Sequence, residues 1–163
     1  EGAAPPAGPA RLGVVRLLER HGQREAVYRQ GDLLELEIAW EAERHDLKFH
    51  LAVGCNRVDG VEVFTCGSLT GSLPSWSGRR DYRVRFSIPE LPLIKGEFSL
   101  YVFLLDEAGL HIYDKKLLHA AFAVESEAYE FGLIRVPHGW RSVEEESSDH
   151  LPLEPTLALR ERI

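Results

Sequence analysis

Tyr82-Arg83-Val84-Arg85-Phe86-Ser87-Ile88-Pro89-Glu90-Leu91-Pro92-Leu93-Ile94-Lys95-Gly96-Glu97-Phe98-Ser99-Leu100-Tyr101-Val102-Phe103-Leu104-Leu105 decides the fold class. Tyr82, Val84, Phe86 and Ile88 alternate with Arg83, Arg85 and Ser87, the period of two that gives a strand one apolar face. Pro89 and Pro92 then stop the ladder, because proline has no N–H to donate. Residues 89–96 therefore read as a loop that crosses between sheets and ends on a glycine. A second strand leaves it. Phe98, Leu100, Val102 and Leu104 point one way, Tyr101, Phe103 and Leu105 the other, with Ser99 the polar residue of the run. One of these faces fills a core, and the other is expected to be covered too.

Working outward, similar runs recur at short intervals: Leu12–Leu18, Leu33–Trp40, Leu47–Cys55, Val61–Cys66, Leu110–Tyr113, Leu117–Val124 and a last short one over Gly132–Val136. Gln30-Gly31-Asp32, Asp59-Gly60 and Glu107-Ala108-Gly109 are turn signals between them. Leu34, Leu36, Ile38 and Trp40 share one parity and Glu35 and Glu37 the other, which makes Trp40 a core residue. Many short strands and no strongly amphipathic helix predict an all-β, antiparallel two-sheet sandwich. Gly67 to Gly78, rich in Gly, Ser and Leu and holding Trp76, reads as a long loop and the one expected to be mobile.

The 163 residues fit one domain, which we expect over residues 11–140. Residues 1–10, rich in Ala, Pro and Gly, read as a linker from an upstream domain, and the absence of methionine is what a piece of a longer protein would show. Residues 141–163, with Glu144-Glu145-Glu146, read as an acidic tail. No apolar run approaches the ~18 residues of a membrane span, and the N-terminus has no signal-peptide pattern. The net charge of −7 argues against nucleic acid as a partner. Arg79, Arg80, Arg83 and Arg85 do cluster, either as a solvated strand face or as a contact for an anion or a sugar.

Cys55 and Cys66 are the two cysteines. A tight turn at Asp59-Gly60 sets Cys55 opposite Phe64 and Cys66 opposite Val53, so the thiols are diagonal neighbours and not a facing pair. Two buried free thiols are expected, which suits a reducing compartment. Nothing points to a metal or cofactor: no C-x-x-C occurs and the seven histidines are scattered. No G-x-x-x-x-G-K-[ST] and no G-x-S-x-G is present, so these residues carry neither a phosphate-cradling loop nor a nucleophile elbow. His138 with Asp149, or His111 with Asp114, can be drawn as acid/base pairs, but pairs of this kind arise by chance among 26 acids. The chain is not expected to be an enzyme.

The quoted stretch, with Gly31-Asp32, Asp59-Gly60, Leu91-Pro92-Leu93 and Gly96, Tyr113-Asp114, Phe122-Ala123-Val124, and Gly132 through His138-Gly139-Trp140, resembles the C-terminal domain of Wzt from about Arg11 to Trp140. Wzt is the nucleotide-binding subunit of bacterial ABC transporters that export finished O-antigen polysaccharide in lipopolysaccharide biosynthesis. The resemblance implies an immunoglobulin-like or jelly-roll sandwich that recognises the capped, non-reducing end of the glycan. It also implies a homodimer that exchanges a terminal strand, and a pocket on a concave sheet face. The parent chain would carry the ATPase and reach the transporter's membrane subunit at the cytoplasmic side of the inner membrane. Two alternatives stay open: a β-sandwich used only for dimerisation or docking, and an accessory binding module of a carbohydrate-active enzyme.

A sugar site needs an aromatic face for the apolar side of a pyranose and planar polar groups for its hydroxyls. With Phe49, Leu51, Val53 and Cys55 as core, His50 and Asn56 fall on the outward parity, as do Arg83, Arg85, Tyr101 and Phe103 on their own strands. Those six, with Trp76 in the Gly/Ser loop, are the candidate ligand-binding residues. Each has a plainer alternative. Tyr101 and Phe103 also suit a dimer interface or a second packing layer, His50 an ordinary surface, and Trp76 a cap on the core.

Overall fold

The structure, a computed structural model, describes residues 8–18, 26–127 and 129–141. Its strands are β1 (Ala10–Leu17), β2 (Val27–Arg29), β3 (Leu34–Ala42), β4 (His50–Arg57), β5 (Glu62–Gly67), β6 (Asp81–Ile88), β7 (Gly96–Leu105) and β8 (Ile112–Glu125). They form two sheets, a three-stranded one in the order β1-β3-β6 and a five-stranded one in the order β2-β8-β7-β4-β5. The two pack face to face, as the all-β sandwich reading expects. No helix of the described residues is long and apolar enough to cross a membrane.

The core follows from parity. Leu34, Leu36, Ile38 and Trp40 of β3 meet Phe49, Leu51, Val53 and Cys55 along β4 and Phe98, Leu100, Val102 and Leu104 of β7, all buried. Trp40 stacks on Tyr82 at 4.7 Å and meets Phe49 and Trp76 edge-on. The loop after β6 does cross from one sheet to the other. It takes Leu91 and Leu93 fully out of water, and Gly96 ends it at φ 139°, a conformation that a Cβ would disfavour.

Four details depart from the sequence reading. The segments Leu110–Tyr113 and Leu117–Val124 are one strand, β8, which runs through the charged Asp114-Lys115-Lys116. β2, three residues long, was not anticipated, and its pairing with β8 is parallel whereas the other pairings are antiparallel. Gly132–Val136 is not a strand: within this chain it makes a single bridge, Leu93 to Ile134. Cys66 is exposed, because β5 is an edge strand that extends past the smaller sheet, although the register Val53–Cys66 and Cys55–Phe64 is the one the Asp59-Gly60 turn dictates. Of the expected linker, residues 1–7 lie outside the described residues; so does the expected tail from residue 142.

In β8 the register shifts opposite Ser99, where Ala120 takes φ 45°. The buried Ser99 hydroxyl accepts the Ala120 N–H at 3.0 Å and lies 3.3 Å from His119 Nδ1, so the bulge does not leave an unpaired donor.

Two predictions follow from burial. Leu91 lies outside every strand yet is fully buried, so Leu91→Ala should cost about 2–5 kcal/mol in urea denaturation; a loss below about 1 kcal/mol would show that the crossover is not part of the core. Burial pushes the Cys55 thiol up to about 12. Dithionitrobenzoate at pH 8 should therefore titrate Cys66 in the native chain and both thiols only after denaturation, with equal release in the two states counting against the packing described.

Candidate functional site

On the outer face of the five-stranded sheet, residues directly opposite one another build a platform row by row. Gly67, Ala52, Phe103 and Lys115 make one row, and Thr65, Gly54, Tyr101 and Leu117 the next. Glu62, Asn56 and Ser99 make the third. The first two rows hold bulk on β7 and almost none on β4, with Phe103 opposite Ala52 and Tyr101 opposite Gly54, so the surface is grooved. A groove of about 690 Å³ results, lined by Asn56, Glu62, Thr65, Tyr101, Phe103, Lys115, Lys116 and Leu117. Its volume lies within the ~300–1,000 Å³ of small-ligand sites.

The groove's floor is aromatic. Tyr101 and Phe103 meet edge to face at 5.3 Å. The Tyr101 hydroxyl reaches across β4 to Thr65 Oγ1 at 3.2 Å and Glu62 Oε1 at 3.4 Å, and Thr65 Oγ1 also donates to Glu62. Asn56 sits at the end, its amide oxygen buried and without a hydrogen-bond partner among the described residues. Lys115 stands on the opposite wall with no ion pair among the described residues. The arrangement offers a flat apolar contact, a carboxylate, an ammonium and two hydroxyls within one open depression.

The structure brings together three of the seven residues expected from sequence: Asn56, Tyr101 and Phe103. The other four lie elsewhere. His50 shares their parity but is only 3 % exposed, covered by the loop after β5, where Ser68 Oγ lies 2.9 Å from its Nδ1 and accepts the Leu51 N–H. Arg83 and Arg85 face outward, but from β6, hence on the other sheet and the opposite side of the sandwich. There they face Glu37 and Glu35, each at 3.6 Å. Trp76 pairs with Phe49 through both backbone hydrogen bonds and puts its ring against Trp40, closing the core. The single face expected for these residues is therefore replaced by a smaller one.

Sequence reasoning missed Glu62, Thr65, Lys115 and Leu117. Glu62 lies beyond a register shift at Cys55/Asn56, and Lys115 in a charged stretch whose pattern reads as a break between strands. Once β8 is seen as continuous, its pairing with β7 puts Lys115 and Leu117 beside Phe103 and Tyr101.

A second, apolar opening of about 210 Å³ lies between the sheets, where β5 and β6 leave a gap lined by Leu51, Val53, Leu73, Trp76, Val84 and Phe86. Among the described residues His111 and Asp114 do not pair with each other. The His111 ring packs on Tyr113, Asp114 accepts the Leu12 N–H at 2.8 Å, and Asp149 lies outside the described residues. Among the described residues no three His, Cys, Asp or Glu side chains gather as metal ligands.

Residues 7–136 match the sequence profile of the family described as the Wzt C-terminal domain. No curated protein matches the chain. Among solved structures, the crystal structure of the C-terminal domain of Wzt superposes with a TM-score of 0.68 at 12% identity, over 83% of this chain and 85% of that one. At that identity the likeness shows the fold. More distant are a Pseudomonas fluorescens alkylpurine DNA glycosylase, AlkC, bound to DNA containing an abasic site analogue (TM-score 0.47, 10% identity, 73% of this chain and 31% of that one). The CARDB domain of the PF1109 protein from Pyrococcus furiosus, in complex with di-metal ions, gives a TM-score of 0.40 at 12% identity over 71% and 89%. Both are too remote to bear on this chain.

Proposed function

Because this chain belongs to the family of Wzt C-terminal domains, whose profile spans residues 7–136, we propose that it binds the modified non-reducing end of a bacterial O-antigen polysaccharide and so couples completion of the glycan to its export by an ABC transporter. The domain binds and does not catalyse. In the longer subunit an ATP-hydrolysing domain precedes it, with residues 1–10 as the end of the linker, and the assembly works at the cytoplasmic side of the inner membrane against the transporter's membrane subunit.

The observation that carries this reading is the aromatic floor of the outer groove, Tyr101 against Phe103, rimmed by Asn56, Glu62, Thr65 and Lys115. A pyranose has one face of C–H groups that suits an aromatic ring, and hydroxyls that suit amide, carboxylate and ammonium groups. Because the groove is open, each hydrogen bond to sugar replaces one to water and gains little. Dissociation constants of roughly micromolar to millimolar are expected, improved when two sites are presented together.

A homodimer supplies that presentation. Tyr129, Phe131 and Trp140 are 93%, 84% and 92% exposed among the described residues, large apolar rings close together in sequence. Between them, Leu133 O accepts the Ile94 N–H and Arg135 N–H donates to Pro92 O. The same backbone contacts made to a second copy's crossover would exchange the segment and cover the rings.

An array of purified bacterial surface polysaccharides probed with the 163-residue chain should show binding to a glycan bearing a terminal modification and weaker binding to the same glycan without it. Binding to none overturns the reading. Against the tightest hit, Tyr101→Ala should lose roughly three- to tenfold in affinity, while Arg85→Ala, on the other sheet, should bind like wild type. The reverse pattern would move the site to β6.

Light scattering at micromolar concentration should give a dimer. Replacing Phe131 and Trp140 with serine should yield a folded monomer, and a monomeric wild-type chain would remove the exchange from the account.

A further inference from the structure

Gly54 stands in the middle of β4, with Tyr101 opposite it on β7 and Thr65 opposite it on β5. A Cβ placed on Gly54 would lie 1.9 Å from Tyr101 Cζ, 2.1 Å from Cε2 and 2.3 Å from the hydroxyl oxygen. No real Cβ tolerates such distances. The outer half of the tyrosine ring therefore occupies the space directly over the glycine, and only from there does its hydroxyl reach Thr65 and Glu62 on the next strand. Glycine weakens a strand interior and needs a reason to be in one. Here the reason is the close approach of a ring.

The consequence for the groove is geometric. With the ring laid across β4, the space above β7 and β8 is left open between Phe103, Lys115 and Leu117. With any side chain at position 54 the ring must turn away from β4, which removes its hydroxyl from Thr65 and Glu62 and lifts it into that space. Resting on the glycan-binding reading above, we propose that Gly54 is the specificity-determining position of this face: by lacking a Cβ it lays Tyr101 down as the platform on which a sugar ring stacks. Residue 54 need not touch the sugar. It acts through Tyr101, and it selects ligands with a flat apolar face over those that need a deep slot.

The inference has a readout that needs no ligand. In the wild-type chain the Gly54 Hα protons should be displaced upfield in the NMR spectrum by the Tyr101 ring current and return to ordinary positions in Tyr101→Ala; ordinary Gly54 shifts in the wild type overturn the placement. The second readout is coupling, measured with the tightest-binding polysaccharide from the array as the probe. Gly54→Ala should weaken binding by roughly three- to tenfold in the wild-type background and leave affinity unchanged in the Tyr101→Ala background. Equal losses in both backgrounds, or wild-type affinity in Gly54→Ala, overturn the role given to Gly54 while leaving the glycan-binding reading intact. Failure of the wild-type chain to bind any polysaccharide overturns that reading instead, with the NMR shifts still deciding where the ring lies. A thermal melt of each variant separates a lost fold from a lost site.

Discussion

The sandwich depends on how residues 89–96 pass between its sheets. A loop that carries Leu91 and Leu93 to zero exposure also takes its own amides and carbonyls out of water, and a buried backbone group left unpaired costs about 1–3 kcal/mol. Two distant segments satisfy it. The Gly31 N–H donates to Leu91 O at 2.8 Å and the Leu91 N–H to Asp32 O at 2.9 Å. On the other side, the Ile94 N–H donates to Leu133 O and Pro92 O accepts the Arg135 N–H. The prolines that forbid a strand here thus create a hub, and the Gly31-Asp32 turn and the segment after Gly132 are held by it. The hub also sets the direction in which β7 leaves. With Phe98 and Leu100 turned inward by the crossover, Tyr101 and Phe103 have to face out, so the proposed binding floor is a consequence of the same loop.

Unequal sheet widths account for much of the remaining shape. On one flank, β5 extends beyond the three-stranded sheet, which exposes Cys66 and leaves the apolar opening beneath Leu73 and Trp76. On the other flank β2 pairs with β8 only over Ala123–Glu125, so the rest of β8 has no neighbour on that side among the described strands. Two charged side chains close this flank without a ladder. Asp114 Oδ2 accepts the Leu12 N–H and Lys116 Nζ donates to Gly13 O, both at 2.8 Å, tying β8 to β1 of the other sheet. Inward charges on an edge strand also discourage further strands from adding to it.

These features explain what could be read in the sequence. Period-two runs identified the long strands because each has a buried side, and Asp59-Gly60 fixed the β4–β5 register because turn geometry fixes register. β2 escaped notice because Val27-Tyr28-Arg29 is too short for any period to show. Asp114 and Lys116 hid the continuity of β8, since two charges on its inward parity look like a break until β1 is there to receive them. The candidate site was legible in parity and not in partnership. Parity says that Arg85 and Tyr101 both face outward; it cannot say that β6 and β7 belong to different sheets. Nor can it say that the loop after β5 folds over His50, because that depends on Ser68 pairing with Leu51 from beyond the strand.

The two outer faces, one on each sheet, also differ in how far their polar groups are already used. Across β1, β3 and β6, Arg16 and Arg83 both reach Glu37, Arg85 reaches Glu35, and Ser87 donates to Glu35. Exposed pairs of this kind contribute only about 0–1 kcal/mol each, but a ligand would have to displace them before gaining anything. Arg83 and Arg85 are therefore paired with their neighbouring strand, which favours the solvated strand face over an anion contact for these two. Across β5, β4, β7 and β8 the balance is different. Tyr101 and Thr65 share one carboxylate oxygen of Glu62, and Glu62 has no ion pair among the described residues. The Lys115 ammonium has no ion pair among the described residues either, and it stands directly opposite Phe103, whose ring meets that of Tyr101. A face gains by binding in proportion to what the fold has not already consumed, and by that criterion the grooved face suits the proposed binding better than the outer face of β1, β3 and β6.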